Sequence, residues 1–383
     1  MAQRITDGRQ QTLRALAGQP TARVPFGPLT WGFDYLWRVA DLEPWQLACG
    51  GSETWHHAHM ALLARHQPDL VWYSGAGAGL QEPTLLGEDR HQWLVRDNNT
   101  GVAYRLLKDS LALQQQATGT KSCDSVGAIC SPADADRLIP EFTGWGEVYL
   151  AGLRRLIREV GDRALVLPHH SPGYICACYA FGFERAMETM VTDPALFRYV
   201  ADRYAASDAL RMRELAAASA EAVYIADGWA SCDIISPQAF ERFALPYQRS
   251  IVEAAHRAGL RAILWNEGNV LPILHLEAAL PVDAFAIEQP RKGIDLSIAR
   301  VRAAFGAGRC LFGNLDSEGL LIENDPVRIA RAVAEQLRQS GAENPLAFAQ
   351  DKPFVLTTGS PIPSNVEPDA VDAFIQSARA LSF

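Results

Sequence analysis

The chain has 383 residues, 48% hydrophobic and 21% charged, an ordinary globular composition at a length that one α/β barrel can occupy. Its formal charge of −9, without basic clusters, argues against nucleic acid or an anionic membrane as partner. Seven cysteines without a disulfide-like spacing, no apolar signal-peptide core, and no apolar run long enough to span a bilayer lead us to expect a cytoplasmic protein.

A helix is expected first, over residues 5–16, plugging or packing on the bottom of the fold. Short apolar runs follow at 24–27, 70–74, 164–168, 222–226, 262–265, 284–287, 310–313 and 354–358. Each leads through a turn into a longer helical pattern, the signature of βαβ units and a parallel sheet. Eight units favour a closed (β/α)8 TIM barrel, with residues 1–383 as one domain. No GxGxxG turn follows the first strand, which weighs against a dinucleotide fold. Asp193-Pro194, Ser236-Pro237, Asp325-Pro326 and Glu367-Pro368 mark helix starts, because proline at the first helical position loses no hydrogen bond. The helices then run over 195–218, 238–258, 327–340 and 369–381. Between the second and third barrel strands, 93–96 and 102–107 flank Asp97-Asn98-Asn99-Thr100-Gly101, a β-hairpin insertion signal.

In this fold the active site lies at the C-terminal ends of the strands. Those ends carry Thr30, Trp31 and Phe33; Tyr73 and Ser74 before Gly75 to Gly79; His169, His170 and Ser171; and Asp227, Trp229 and Ser231. They continue with Asn266, Glu267 and Asn269; Glu288 and Gln289; Asn314 and Asp316; and Ser360 and Ser364. The mouth is acidic, aromatic and amide-lined, and nearly free of basic side chains. Converging carboxylates raise at least one pKa, so Asp227, Glu267, Glu288 and Asp316 are candidates for a general acid or a metal cage. The plainer alternatives are pairing with Arg291 or Lys292, or capping of the next helix. Alternation lets one of His169 and His170 point into the mouth, as a proton shuttle or a ligand, while the other faces the helices. Cys176 and Cys178 have no second pair nearby and read as core packing, and His56, His57 and His59 as a polar helix face.

Several segments resemble the uroporphyrinogen decarboxylase superfamily. They are Arg9-x-x-Thr12-Leu13-x-Ala15-Leu16 with Arg23-Val24-Pro25, and Tyr224-Ile225-Ala226-Asp227 with Ile235-Ser236-Pro237-x-x-Phe240 and Pro246. Gly313-Asn314-Leu315-Asp316 and Thr358-Gly359-Ser360-x-Ile362-Pro363 complete the set. The superfamily, as the resemblance implies, holds porphyrinogen decarboxylases and cobalamin-linked methyltransferases. The decarboxylases carry an arginine-rich segment after the first strand for a substrate with many carboxylates. Here residues 27–35 contain no basic side chain, and Ser74-Gly75 stands where their catalytic aspartate would be. The thiol-methylating branch binds zinc through His-x-Cys-Gly and a later Cys. Trp265, Glu267 and Ser360 occupy those positions, so no metal is expected there, and zinc least of all.

The resemblance therefore implies a methyltransferase acting on a small organic substrate, with cobalamin on a separate corrinoid protein as methyl partner. Asp227, Glu267, His169 and His170 would be the catalytic set, and Trp31, Tyr73, Trp229, Asn269, Glu288, Asn314 and Ser360 the substrate contacts. Decarboxylation of a small acid or a porphyrinogen-like substrate is the alternative, and a non-catalytic ligand-binding relative the third reading. A homodimer stays open.

Overall fold

The computed structural model describes residues 7–30, 34–75, 79–80, 82–108, 113–115, 129–290, 293–341 and 352–381. Its strands are β1 (Leu70–Tyr73), β2 (Thr84–Glu88), β3 (Gln92–Arg96), β4 (Ala103–Leu107), β5 (Leu113–Gln115), β6 (Leu165–His170), β7 (Ala222–Asp227), β8 (Arg261–Asn266), β9 (Ala284–Ala286), β10 (Cys310–Phe312) and β11 (Phe354–Val355). β1 and β6 to β11 form one curled sheet of seven strands in that order, parallel throughout, with helices packed against it. This is an α/β barrel-like architecture.

The expected first strand is reduced to a single parallel bridge, Phe26 to Leu356. Around it Leu356 N donates to Pro25 O (2.8 Å), Gly27 N to Leu356 O (3.0 Å) and Asp69 N to Phe26 O (2.8 Å). Residues 25–27 thus link β11 to the residue preceding β1, at the two edges of the sheet. Asp69 fixes that link. Its buried carboxylate takes a fork of hydrogen bonds from Arg23, one of 2.6 Å, and a further one from Phe26 N at 3.0 Å.

Alternation along each strand sorts the core in two. Leu70, Trp72, Leu165, Leu167, Ala222, Tyr224, Ala226, Ile263, Trp265, Ala284, Ala286, Cys310, Phe312 and Val355 form one buried cluster inside the curl. Val71, Val166, Val223, Ile225, Leu264, Phe285 and Leu311 belong to the other, between sheet and helices. The helix Gly8–Leu16 adds Ala15 and Leu16 to the inner cluster, so it stops the bottom of the curl. Every residue of β7 is buried, as expected for a strand covered on both faces.

Two long helices expected from the sequence are interrupted. Residues 195–218 divide into Pro194–Ala205 and Asp208–Ala217. Residues 238–258 pass through a π-turn, Phe240–Ala244, before Leu245–Arg257. Pro246 explains the second case, because its ring cannot donate to the carbonyl four residues back and the ladder widens. The proline starts are present: Asp193, Ser236 and Asp325 each accept from a first-turn amide, at 3.0, 3.1 and 2.9 Å. Between β1 and β6, β2 to β5 form an antiparallel sheet of four strands, in which β3 and β4 pair from Gln92–Leu107 to Arg96–Ala103. Among the described residues no helix is long and apolar enough to cross a membrane.

Candidate active site

The strand ends present two faces, and the parity of each residue decides which it joins. His169 follows Leu165 and Leu167 in parity, so it faces the inside of the curl; His170 follows Val166 toward the helices. There His170 Nε2 lies 3.3 Å from Asp208 Oδ1, with the Trp145 ring edge-on to it. His169 is the ring at the mouth. Enclosure holds its pKa down to about 4, helped by the neighbouring His170, so the imidazole is neutral at pH 7. A neutral ring accepts a proton; it is not charged and ready to give one.

Glu288 and Ser360 meet at the mouth. Glu288 has the inward parity of Ala284 and Ala286, is 1% exposed, and accepts from Ser360 Oγ and from Gln289 N (2.9 Å). Its charge also reaches the buried inward-facing Tyr224, whose phenol burial, above all, keeps protonated. The loops beyond β9, β10 and β11 are stitched together here. Gln289 Oε1 accepts from Ser317 N and Oγ, at 2.8 and 3.0 Å, and Ser317 Oγ donates to Pro361 O at 3.1 Å. Glu267 leaves β8 half-buried and lies over Gly228, where a Cβ would come 3.2 Å from its carboxylate. Trp229 is half-buried on the rim, with the exposed Tyr179 and Phe183 edge-on to it at 5.0 and 5.2 Å.

Other expected contacts are turned away. Asp227 has the parity of Val223 and Ile225, is fully buried, and accepts from Gln248 Nε2 at 3.0 Å on the helix Leu245–Arg257. It does not share the inner cavity, because a residue one position from an inward-facing neighbour must point outward. Tyr73 likewise follows Val71 into the helix layer, and its hydroxyl donates to Tyr149 O at 2.9 Å. Asn269 is a loop staple: its backbone joins Asp233 Oδ2 (2.7 Å) and Cys232 N (2.9 Å), while its Oδ1 accepts from Leu271 N. Asn314 Nδ2 donates to Leu296 O at 2.8 Å, holding the loop after β9. Asp316 accepts from the amides of Glu318 and Gly319, the capping alternative. Trp31, Phe33, Arg291 and Lys292 lie outside the described residues.

The three-histidine segment also needs correction. His59 is not on a polar face: it is 1% exposed, with Nδ1 2.7 Å from Trp55 O, and burial holds its pKa down to about 4. His56 alone makes the polar contact expected of that face, 2.8 Å from Glu159. Sequence reading missed Tyr224 and Trp265 as parts of the inner wall, and Gln248 and Glu277 behind it. Inward parity along β7 and β8 was the signal for the first two; nothing local marks the helical pair.

Zinc held as in the thiol-methylating branch does not fit. Trp265 Nε1 donates to Gly359 O at 3.0 Å, and Ser360 donates to Glu288, so of the three positions Glu267 alone carries a ligand-type group.

In sequence, the chain is 30% identical over 206 residues to the uroporphyrinogen decarboxylase of Dichelobacter nodosus, covering 53% of this chain and 51% of that protein. It is 25% identical over 264 residues to that of Gluconobacter oxydans, covering 67% and 71%. The chain thus spans about half the length of the first relative. In structure, it is similar to a methyltransferase from Methanosarcina mazei with a TM-score of 0.69 and 18% identity, covering 98% of each chain, which is a likeness of fold. Residues 123–381, well over half of the sequence, match the family described as Uroporphyrinogen decarboxylase (URO-D), and the chain belongs to that family.

Proposed function

We propose that this protein is an enzyme that transfers a methyl group to or from a small organic substrate, with a corrinoid carried by a separate protein as the methyl partner. The observation that carries this reading is the mouth itself: a buried Glu288–Ser360 pair, a neutral His169 and a half-buried Glu267, with no Lys or Arg among the described residues at the C-terminal strand ends of the seven-stranded sheet. Among the described residues of the mouth a substrate carboxylate would meet only negative or neutral groups, which is unfavourable in a poorly solvated cleft. A neutral ether or a cationic amine meets no such penalty.

The corrinoid, when bound, supplies the centre that gives or takes the methyl group. The rim fits a flat, largely apolar face, because Tyr179 and Phe183, 55% and 45% exposed, each stand edge-on to Trp229. Within the mouth, Ser360 fixes one oxygen of Glu288, and Glu267 is positioned over Gly228 with access to a bound substrate. One of these carboxyls delivers a proton to the heteroatom that loses its methyl group and takes it back when the flow reverses, with the neutral His169 as a relay.

Decarboxylation of a small acid is the second reading, favoured by the name borne by the curated relatives. The two separate in one assay. The pure protein is incubated with methyl ethers, methylamines and small acids, with and without methylcobalamin or a reduced corrinoid protein. Corrinoid-dependent methyl exchange supports the proposal. Release of carbon dioxide without any corrinoid effect would overturn it.

A further inference from the structure

Behind the mouth, four side chains from four elements form a sealed polar cluster. Asp227 ends β7, Gln248 lies on the helix Leu245–Arg257, Asn266 ends β8, and Glu277 lies on the helix Leu274–Ala278. All four are 0% exposed. Gln248 Nε2 donates to Asp227 Oδ2 at 3.0 Å, and Asn266 Nδ2 donates to Glu277 Oε1 at 2.9 Å and to Ala230 O at 3.3 Å.

Counting donors and acceptors exposes an imbalance. Asp227 Oδ1, Gln248 Oε1, Asn266 Oδ1 and Glu277 Oε2 each lack a hydrogen-bond partner among the described residues. If both carboxyls were ionised, all four would be acceptors with nothing to accept. Each such buried group costs on the order of 1–3 kcal/mol, and an unpaired buried charge costs more. Adding one proton to each acid turns two of the four oxygens into donors and leaves two amide oxygens to receive them. The balance then closes.

We infer that Asp227 and Glu277 form a two-proton site, both held as neutral carboxylic acids at pH 6 and closed into one network by the Gln248 and Asn266 amides. No cation faces either acid among the described groups. From the helix Gly173–Phe181, Tyr174, Cys176, Cys178 and Tyr179 feel the charge of Asp227, and Cys232 that of Glu277. Asp233 lies on the same 231–233 loop and Glu267 at the adjoining strand end. Each of these ionisable neighbours is thus neutral or acidic, and none offsets the cost of a second anion. Burial raises Asp227 to about 7; burial, then Asp227 itself, raises Glu277 to about 8 against the Asn266 and Gln248 amides. The site adjoins the mouth on two sides: Asp227 precedes Gly228, on which Glu267 rests, and Asn266 precedes Glu267. The inference does not depend on the reaction proposed above.

The sign of the linkage follows. Both folded pKa values lie above the unfolded values of about 4, so the stability these acids contribute is full below pH 4 and is lost as pH rises through 7 to 8. Between about pH 5 and 6 the folded protein holds close to two protons that the unfolded chain has released, and the first of them is lost around pH 7. The test compares the full-length parent with the double variant Asp227→Asn, Glu277→Gln, whose NH2 groups keep the donors that the neutral acids supply. Urea unfolding at several pH values should give log unfolding constants whose slopes against pH differ by about two per pH unit. Equal slopes would overturn the inference, as would a saturable rise in the parent's Tm with Ca2+ or Na+ that the variant lacks, since four oxygens also suit a hard cation. Should the variant not fold, infrared spectroscopy of the parent decides. Protonated-carboxyl carbonyl bands, shifted by deuterium, present at pH 6 and lost by pH 9, support the site; their absence at pH 6 rules it out.

Discussion

The ends of β7, β8 and β9 carry two acidic sets on opposite faces of one curled sheet. Inside stand Glu288 with Ser360, and Glu267 over Gly228; outside stand Asp227 with Gln248, and Asn266 with Glu277. The inner set lies at the strand ends inside the curl, where the proposed substrate would bind. The outer set is sealed by helices and is fully buried. Each set holds two carboxyls, and adjacent positions belong to opposite sets, as Asn266 and Glu267 do. Parity alone turns Glu267 toward the proposed site and its neighbour Asn266 toward the helices.

The largest expected effect tests the inner half. Glu267→Gln should slow methyl exchange by about a hundredfold or more, the usual loss for a missing general acid or base, while Tm stays close to the parent's. A collapse of Tm with normal specific activity in the folded fraction would move Glu267 to the structural side of the comparison.

One residue back, Asn266→Ala should do the reverse. It removes the donor to Glu277 and Ala230 O in a fully buried site, and should cost on the order of 1–3 kcal/mol of stability by urea unfolding. An unchanged unfolding midpoint would show that the outer network holds nothing.

A smaller, pH-dependent effect belongs to His59. Its folded pKa of about 4 lies below the unfolded value of about 6.5, so the stability it contributes is present above pH 6.5 and is lost as pH falls toward 4. Replacing His59 with Gln should reduce the acid-side slope of log unfolding constant against pH by up to one. A variant with the parent's slope would mean that the ring takes up its proton in the folded state as readily as in the unfolded one.

Much of the architecture was legible because short apolar runs between turn signals report buried parallel strands. β7 is such a run, and the proline starts at Pro194, Pro237 and Pro326 cap as their local chemistry dictates. The first strand reads as apolar over 24–27 but makes one bridge, since bridging is set by partners far along the chain. The site was legible as a set of strand ends, not as a cavity. A one-residue uncertainty in where a strand ends reverses the face of its last side chain, which is how Asp227 and Tyr73 were expected inside. Glu277 was invisible for a different reason: a lone Glu on a short helix looks like solvated surface until Asn266 is seen beneath it.

Tyr73 gives the smallest and sharpest test of parity. Its ring packs edge-on against Tyr149 at 5.1 Å and its hydroxyl donates to the carbonyl of that residue. Burial pushes the phenol above its usual range, so it stays protonated across the working pH. Were Tyr73 a wall of the substrate cavity, removing its hydroxyl would change KM and leave stability alone. Packed in the helix layer, it should act the other way. Tyr73→Phe keeps the ring, deletes one buried donor and leaves the Tyr149 carbonyl to find another partner. The expected cost is about 0.5–1.5 kcal/mol in urea unfolding, with kcat and KM for methyl exchange both unchanged. An altered KM at parental stability would place Tyr73 in the cavity after all, and the outward face of β1 would then have to be redrawn.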